Sequence, residues 1–290
     1  MKKVWFYIVL LLSFFSCKDT NNNSHSVNRG NESDKDMANE SVDSVITQQG
    51  ILGYYVGMFE VDDLNVDNKL FYRNKITIAV ESVDNEQIKG HSIVAGKRQP
   101  FTGKVSKEND LLKVIAEEPR GEKDNGRFIF ELNTATGEIS GVWYSSNAKA
   151  LIGSRSYTLK KRQYEYNKDL MVDSAISSED YYNAFDDTKE SIDIPSTDAY
   201  RINASNTELT NDMLDNVYIT DIEIIRNAIY ARHGYSFSDK KMRYIFDNMF
   251  WYIPLFTNVD DKLTALEINN IDLLERYEEH FEEYYGDFGR

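Results

Sequence analysis

Ile76-Thr77-Ile78-Ala79-Val80-Glu81 puts a large aliphatic side chain at every second position and a smaller or polar one between. Successive side chains of an extended chain point to opposite faces, so this run predicts a strand with one face in a core. Leu112, Val114 and Ala116 repeat the pattern, as do Phe128, Phe130 and Leu132. Between such runs stand pairs that favour tight turns: Asp84-Asn85, Asn109-Asp110, Asn125-Gly126 and Thr136-Gly137. Short connections join antiparallel neighbours, and about eight strands fit between residues 50 and 166. An antiparallel meander of that size closes into a barrel or curls into a barrel-like sheet, which removes its exposed edges. Gly90 and Gly103 fall inside strand patterns, where a missing side chain permits a sharp bend.

On the C-terminal side the alternation ends. Residues 167–206 turn acidic and polar, as in Ser177-Ser178-Glu179-Asp180, and read as a linker with a short helix near Tyr181 to Phe185. Over 207–290 the period becomes helical. Thr220-Asp221-Ile222-Glu223 has the composition of a capping box, flanked by Ile219 and Ile224 at the spacing of a hydrophobic staple. That helix runs to His233 and stops at Gly234. A second helix is expected over Asp239–Met249, capped by Ser238, with Met242, Ile245, Phe246 and Met249 as its apolar stripe. A third begins at the box Thr264-Ala265-Leu266-Glu267, stapled by Leu263 and Ile268, and is ended by Gly286. The fold class is therefore α+β and multidomain: an antiparallel barrel-like domain followed by a small three-helix domain.

On the N-terminal side lie Lys2 and Lys3, an apolar run from Val4 to Phe15 broken only by Ser13, and then Ser16-Cys17. A basic start, a short apolar stretch and a small residue describe an export signal over residues 1–16, too short to span a bilayer. Cys17 is the single cysteine of the chain. The segment resembles the bacterial lipobox, with Phe14 where an aliphatic residue is usual. The resemblance implies a lipoprotein acylated at Cys17 and held at a bacterial cell envelope, with the outer membrane as the expected address. Residues 17–49, rich in Asn, Ser, Asp and Glu, read as a tether that cannot bury enough apolar surface to order itself.

Two further resemblances concern the folded parts. Gly53-Tyr54-Tyr55-Val56-Gly57 resembles the first strand of lipocalin-like barrels, an architectural likeness only. Arg226-Asn227-Ala228-Ile229-Tyr230-Ala231-Arg232-His233-Gly234-Tyr235 resembles the signature of the YARHG-domain family, and Phe237, Trp251-Tyr252 and Pro254 continue the likeness over about 209–280. The family implies an exported, envelope-associated bacterial domain and carries no settled ligand or reaction.

Arg226, Tyr230, Arg232, His233, Trp251 and Tyr252 are the candidate ligand-binding residues. Arginine recognises carboxylates and phosphates, histidine titrates near neutrality, and aromatic faces stack on sugars and peptides. Helical spacing puts His233 on one face with Ile222 and Ile229, which favours a buried histidine; Arg226, Tyr230 and Arg232 are the residues left to reach a groove. Trp251 and Tyr252 divide between core and binding face. Glu278, Glu279, His280, Glu282 and Glu283 read as a solvated acidic helix face, so no metal and no cofactor is expected. No nucleophile elbow, zinc-protease motif or phosphate loop is present, and no catalytic residue is assigned. A formal charge of -15 argues against nucleic acid as partner. The expected activity is non-catalytic binding of a cell-wall glycan or an envelope protein through the helical domain. A carrier of a small apolar ligand inside the barrel and an envelope hydrolase with an inter-domain cleft are the alternatives.

Overall fold

The alternating runs form eight strands: β1 Gly53–Val61, β2 Arg73–Asp84, β3 Gln87–Val94, β4 Lys97–Glu108, β5 Leu111–Glu117, β6 Gly126–Asn133, β7 Glu138–Ser145 and β8 Ser154–Arg162. The computed structural model describes residues 50–61, 73–84, 86–119, 125–173 and 195–285. The expected signal segment, Cys17, the tether, the helix near Tyr181 to Phe185 and Gly286 lie outside them. Each strand pairs antiparallel with the next, and β8 returns to β1 with Met58 opposite Thr158. The sheet is a closed barrel.

The inward rows are those the alternation marks. Ile76, Ile78 and Val80, Leu112, Val114 and Ala116, and Phe128, Phe130 and Leu132 are all buried in one cluster. Aromatic rings fill the middle. Phe128 lies 5.8 Å from Phe101 and 6.0 Å from Tyr157, and Phe59 lies 5.9 Å from both Tyr157 and Trp143. Side chains therefore occupy the barrel interior. Gly90 stands opposite Val80, where the β2 register shifts before Ser82. A side chain there would meet the Ala79 carbonyl and the Phe101 ring, so the glycine admits both close neighbours at the bend.

Turn chemistry holds at two hairpins, with Asn109 at φ 55° and Gly137 at φ 66°. It fails at Asn125-Gly126, because Gly126 opens β6 instead of turning. Glu118 explains the position: its carboxylate accepts from the Gly126 amide at 2.7 Å and from Trp143 Nε1 at 3.2 Å.

β2 departs from half-burial. Thr77 and Ala79 on its outer face are as buried as Ile76 and Ile78. Val56, Thr77 and Ile93 form one outward row across β1, β2 and β3. Val56 packs on Ile253 and Leu255 of the helical domain, so that domain covers this side of the barrel.

The helical part holds α1 Asp198–Arg201, α2 Asn211–Leu214, α3 Ile219–Arg232, α4 Lys240–Phe246 and α5 Ala265–Tyr285. The helices α3, α4 and α5 are the main ones and match the three expected. The starts of α3 and α4 differ from the sequence reading. Tyr218, not Thr220, precedes α3, and no side chain caps it. Asp221 turns away to accept from the Ser196 amide and hydroxyl. Asp239, not Ser238, caps α4 by accepting from the Met242 amide at 2.9 Å, and α4 ends at Phe246. The Thr264–Glu267 box forms as expected at α5: Thr264 Oγ1 accepts from the Glu267 amide at 3.2 Å, and Glu267 Oε2 from the Thr264 amide at 2.9 Å. Ile268 is exposed and does not staple it. Residues 195–206, assigned by composition to the linker, carry α1 and bury Ala199, Asn203, Ala204 and Ser205.

Candidate functional site

The signature occupies the last turns of α3, where the helix ends on His233 and Gly234 takes φ 76°. That left-handed turn sends the chain back across the domain, and Gly234 O then accepts from the amides of Leu255 and Phe256. The end of α3 thus faces the start of α5 and the segment that leaves β8.

His233 is buried, as its helix face required, and its Nε2 lies 2.9 Å from Glu267 Oε2. Tyr166 stacks on the His233 ring at 4.3 Å and 12°, and its hydroxyl donates to Glu267 Oε1 at 3.0 Å. Burial pushes the Glu267 carboxyl up. The hydrogen bonds from His233, the Thr264 amide and Ser205 outweigh this and hold it at about 2. For the Tyr166 hydroxyl, burial and the bond to Glu267 both act upward.

Arg232 does not reach a groove. It is 2% exposed, with Nε donating to Leu170 O at 2.8 Å and Nη1 to Ser205 Oγ at 3.2 Å. Burial pulls its guanidinium down to about 10, against the upward pull of Glu267, Tyr166 and Asp169. The backbone at Arg232 is used as well, since its carbonyl accepts from the Tyr164 hydroxyl at 2.9 Å. Arg226 is half-buried, with Nε 2.9 and 3.1 Å from the two oxygens of Glu278. Tyr230 is half-buried between the two helical clusters, 6.0 Å from the Tyr235 ring. Trp251, also half-buried, donates from Nε1 to Met171 O at 2.8 Å. Tyr252 is buried and donates to Tyr235 O at 2.6 Å.

The signature therefore gathers around the chain's own segment from Tyr164 to Asp173. Residues 199–279 match the YARHG domain. No curated protein matches the chain. In this YARHG domain Arg232, His233 and Trp251 come together on that segment, Arg226 pairs with α5 on another side, and Tyr252 faces the core.

A second set of residues, invisible to the sequence reading, joins the YARHG domain to the barrel. Lys75 on β2 donates from its amide to Asp247 Oδ2 at 2.8 Å, and from Nζ to Met249 O at 2.5 Å and Tyr252 O at 3.2 Å. Burial moves the Asp247 carboxyl up and the Lys75 ammonium down, each opposed by the other's charge. Nearby, the Gly96 amide donates to Ser236 Oγ at 3.0 Å, and Arg162 Nη1 to Phe250 O at 3.1 Å. Lys75 hides in the sequence because it reads as the polar edge of a strand. Tyr164 and Tyr166 left a fainter signal, two tyrosines at strand spacing just past β8.

The barrel also presents an uncovered outer face on β5, β6 and β7. Ile115, Ile129 and Val142 stand in one cross-strand row, with Tyr144 beside them. Ile115 is 53%, Ile129 40% and Tyr144 48% exposed. They line an open groove of about 950 Å³, with Lys104 and Glu131 among its charged residues.

Proposed function

We propose that this chain is a lipid-anchored protein of the bacterial cell envelope that binds a protein partner without catalysing a reaction. Acylation at Cys17 supplies the anchor, and the tether sets the folded part away from the membrane. The partner sits on the barrel face at β5–β7, and the YARHG domain acts as the clamp that holds the barrel. The observation that carries this reading is the exposed pair Ile115 and Ile129, continued by half-buried Val142 beside exposed Tyr144, an apolar stripe on the side that the YARHG domain leaves open. Aliphatic side chains fit a protein surface better than a glycan, which aromatic faces would stack.

The signature residues support the clamp role, because their polar groups are committed within the chain. The filled barrel interior weighs against a carrier. Glu118, Asp247 and Glu267 each accept intramolecular donors, which weighs against an acid–base pair at any of them.

Pull-down from envelope extracts tests the reading with three variants. Ile115→Lys/Ile129→Lys is expected to lose the partner while melting within about 1 kcal/mol of the unaltered chain, since both side chains face water. Arg226→Ala is expected to keep the partner, and Cys17→Ser to release the protein from the membrane fraction. Retention of the partner by the lysine pair together with its loss in Arg226→Ala would move the binding site back to the YARHG domain.

A further inference from the structure

Gln163–Asp173 leaves β8 and crosses the YARHG domain as a segment that is neither helix nor strand, with one turn at Lys168-Asp169. It is held the way a bound peptide is held. Its carbonyls at Lys168, Leu170 and Met171 accept from Asn203 Nδ2 at 2.9 Å, Arg232 Nε at 2.8 Å and Trp251 Nε1 at 2.8 Å. Those donors set the path of the segment whatever its side chains are. Selectivity comes from Tyr164 on the Arg232 carbonyl, from Tyr166 flat on His233 with its hydroxyl on Glu267, and from Val172. Val172 is buried in one apolar cluster with residues of α3 and α4. Main-chain bonds for affinity and separate side-chain pockets for choice are the division of labour in extended-peptide recognition.

The segment also covers the polar groups beneath it. With the segment in place Arg232 is 2% exposed, and its Nε spends its bond on Leu170 O. Without it Trp251 Nε1 would lose Met171 O, and the His233 ring its cover.

We infer that the YARHG signature of this chain forms a peptide-binding site for an extended segment carrying Tyr-x-Tyr followed by an aliphatic residue six positions later. Residues 164–172 fill it in cis, and the same sequence supplied as a free peptide enters when the cis segment is out. The site is independent of the barrel face at β5–β7, so neither proposal stands or falls with the other.

A fluorescein-labelled peptide of residues 163–173 is titrated by anisotropy against the full-length chain and against its Tyr164→Ala/Tyr166→Ala variant. The variant has lost the two tyrosine anchors, and every residue of its YARHG domain is unchanged. It is expected to bind the peptide at least about tenfold more tightly than the unaltered chain, because a filled site shows only its vacant fraction. Alanine at Tyr166 of the peptide is expected to abolish that binding. Equal affinity for both proteins, or none for either, overturns the inference. Tyr164→Phe/Tyr166→Phe keeps the rings and replaces the alanine pair if that pair fails to fold. Two lost hydroxyl bonds then give a gain of about threefold or more, and no gain overturns the inference equally.

Discussion

Glu267 serves several partners in one small space: it caps its own helix, accepts from Tyr166 and Ser205, and meets His233. Its low proton affinity becomes a stability that depends on pH. The carboxyl titrates at about 2 in the folded chain against 4.5 ordinarily. A folded value below the unfolded one stabilises the fold above the unfolded pKa, and the stabilisation is lost as pH falls through the window between the two. Glu267→Gln is expected to cost about 3 kcal/mol at neutral pH. The gap to the unaltered chain should shrink between pH 4.5 and 2, read from urea melts at a series of pH values. Parallel curves for the two proteins across that window would show that the charge at this position does not stabilise the fold. The sequence names Glu267 as the closing residue of a capping box, and that role holds. Its bond to His233 spans 34 residues, a separation over which local spacing says nothing.

Among the helices, two Thr-x-x-Glu boxes look alike in sequence and only one forms. At α5 the Thr264 hydroxyl and Glu267 carboxylate bond to each other's amides. At α3 the residue between them decides otherwise, because Asp221 is fully buried and committed to Ser196, and the helix starts one residue before Thr220. At α4 the sequence offers two adjacent caps, Ser238 and Asp239, and the structure uses the second. Asp239→Ala is therefore expected to cost about 1 kcal/mol and Ser238→Ala a few tenths, measured by thermal melting. The reverse order would place the cap on Ser238 after all. The apolar stripe of α4 was legible, since Met242, Ile245 and Phe246 are each buried, and Met249 is buried just past the helix end. Stripes follow helical geometry, whereas caps depend on which of several competent side chains the entering chain brings into line.

Across the whole molecule, the barrel and the YARHG domain are joined by Val56 on Ile253 and Leu255, by Lys75 on Asp247, Met249 and Tyr252, and by the segment past β8. Val56→Asp puts a carboxylate between β1 and Ile253 and Leu255 while leaving the inward side chains in place. Calorimetry is expected to show the helical domain melting at a lower temperature than the barrel in this variant. A single transition at the unaltered temperature would mean that the two parts are coupled elsewhere. By itself the sequence determined a barrel of about eight strands, three main helices and the inward rows at Ile76, Leu112 and Phe128, because pleat and helix pitch impose periods that local side chains must obey. Only the tertiary structure decided that the outer face of β2 is also buried, that Arg232 points inward to Leu170, and that two tyrosines past the barrel complete the signature. Those contacts join residues far apart in the chain, and they follow from the fit of one folded surface against another, which no local period encodes.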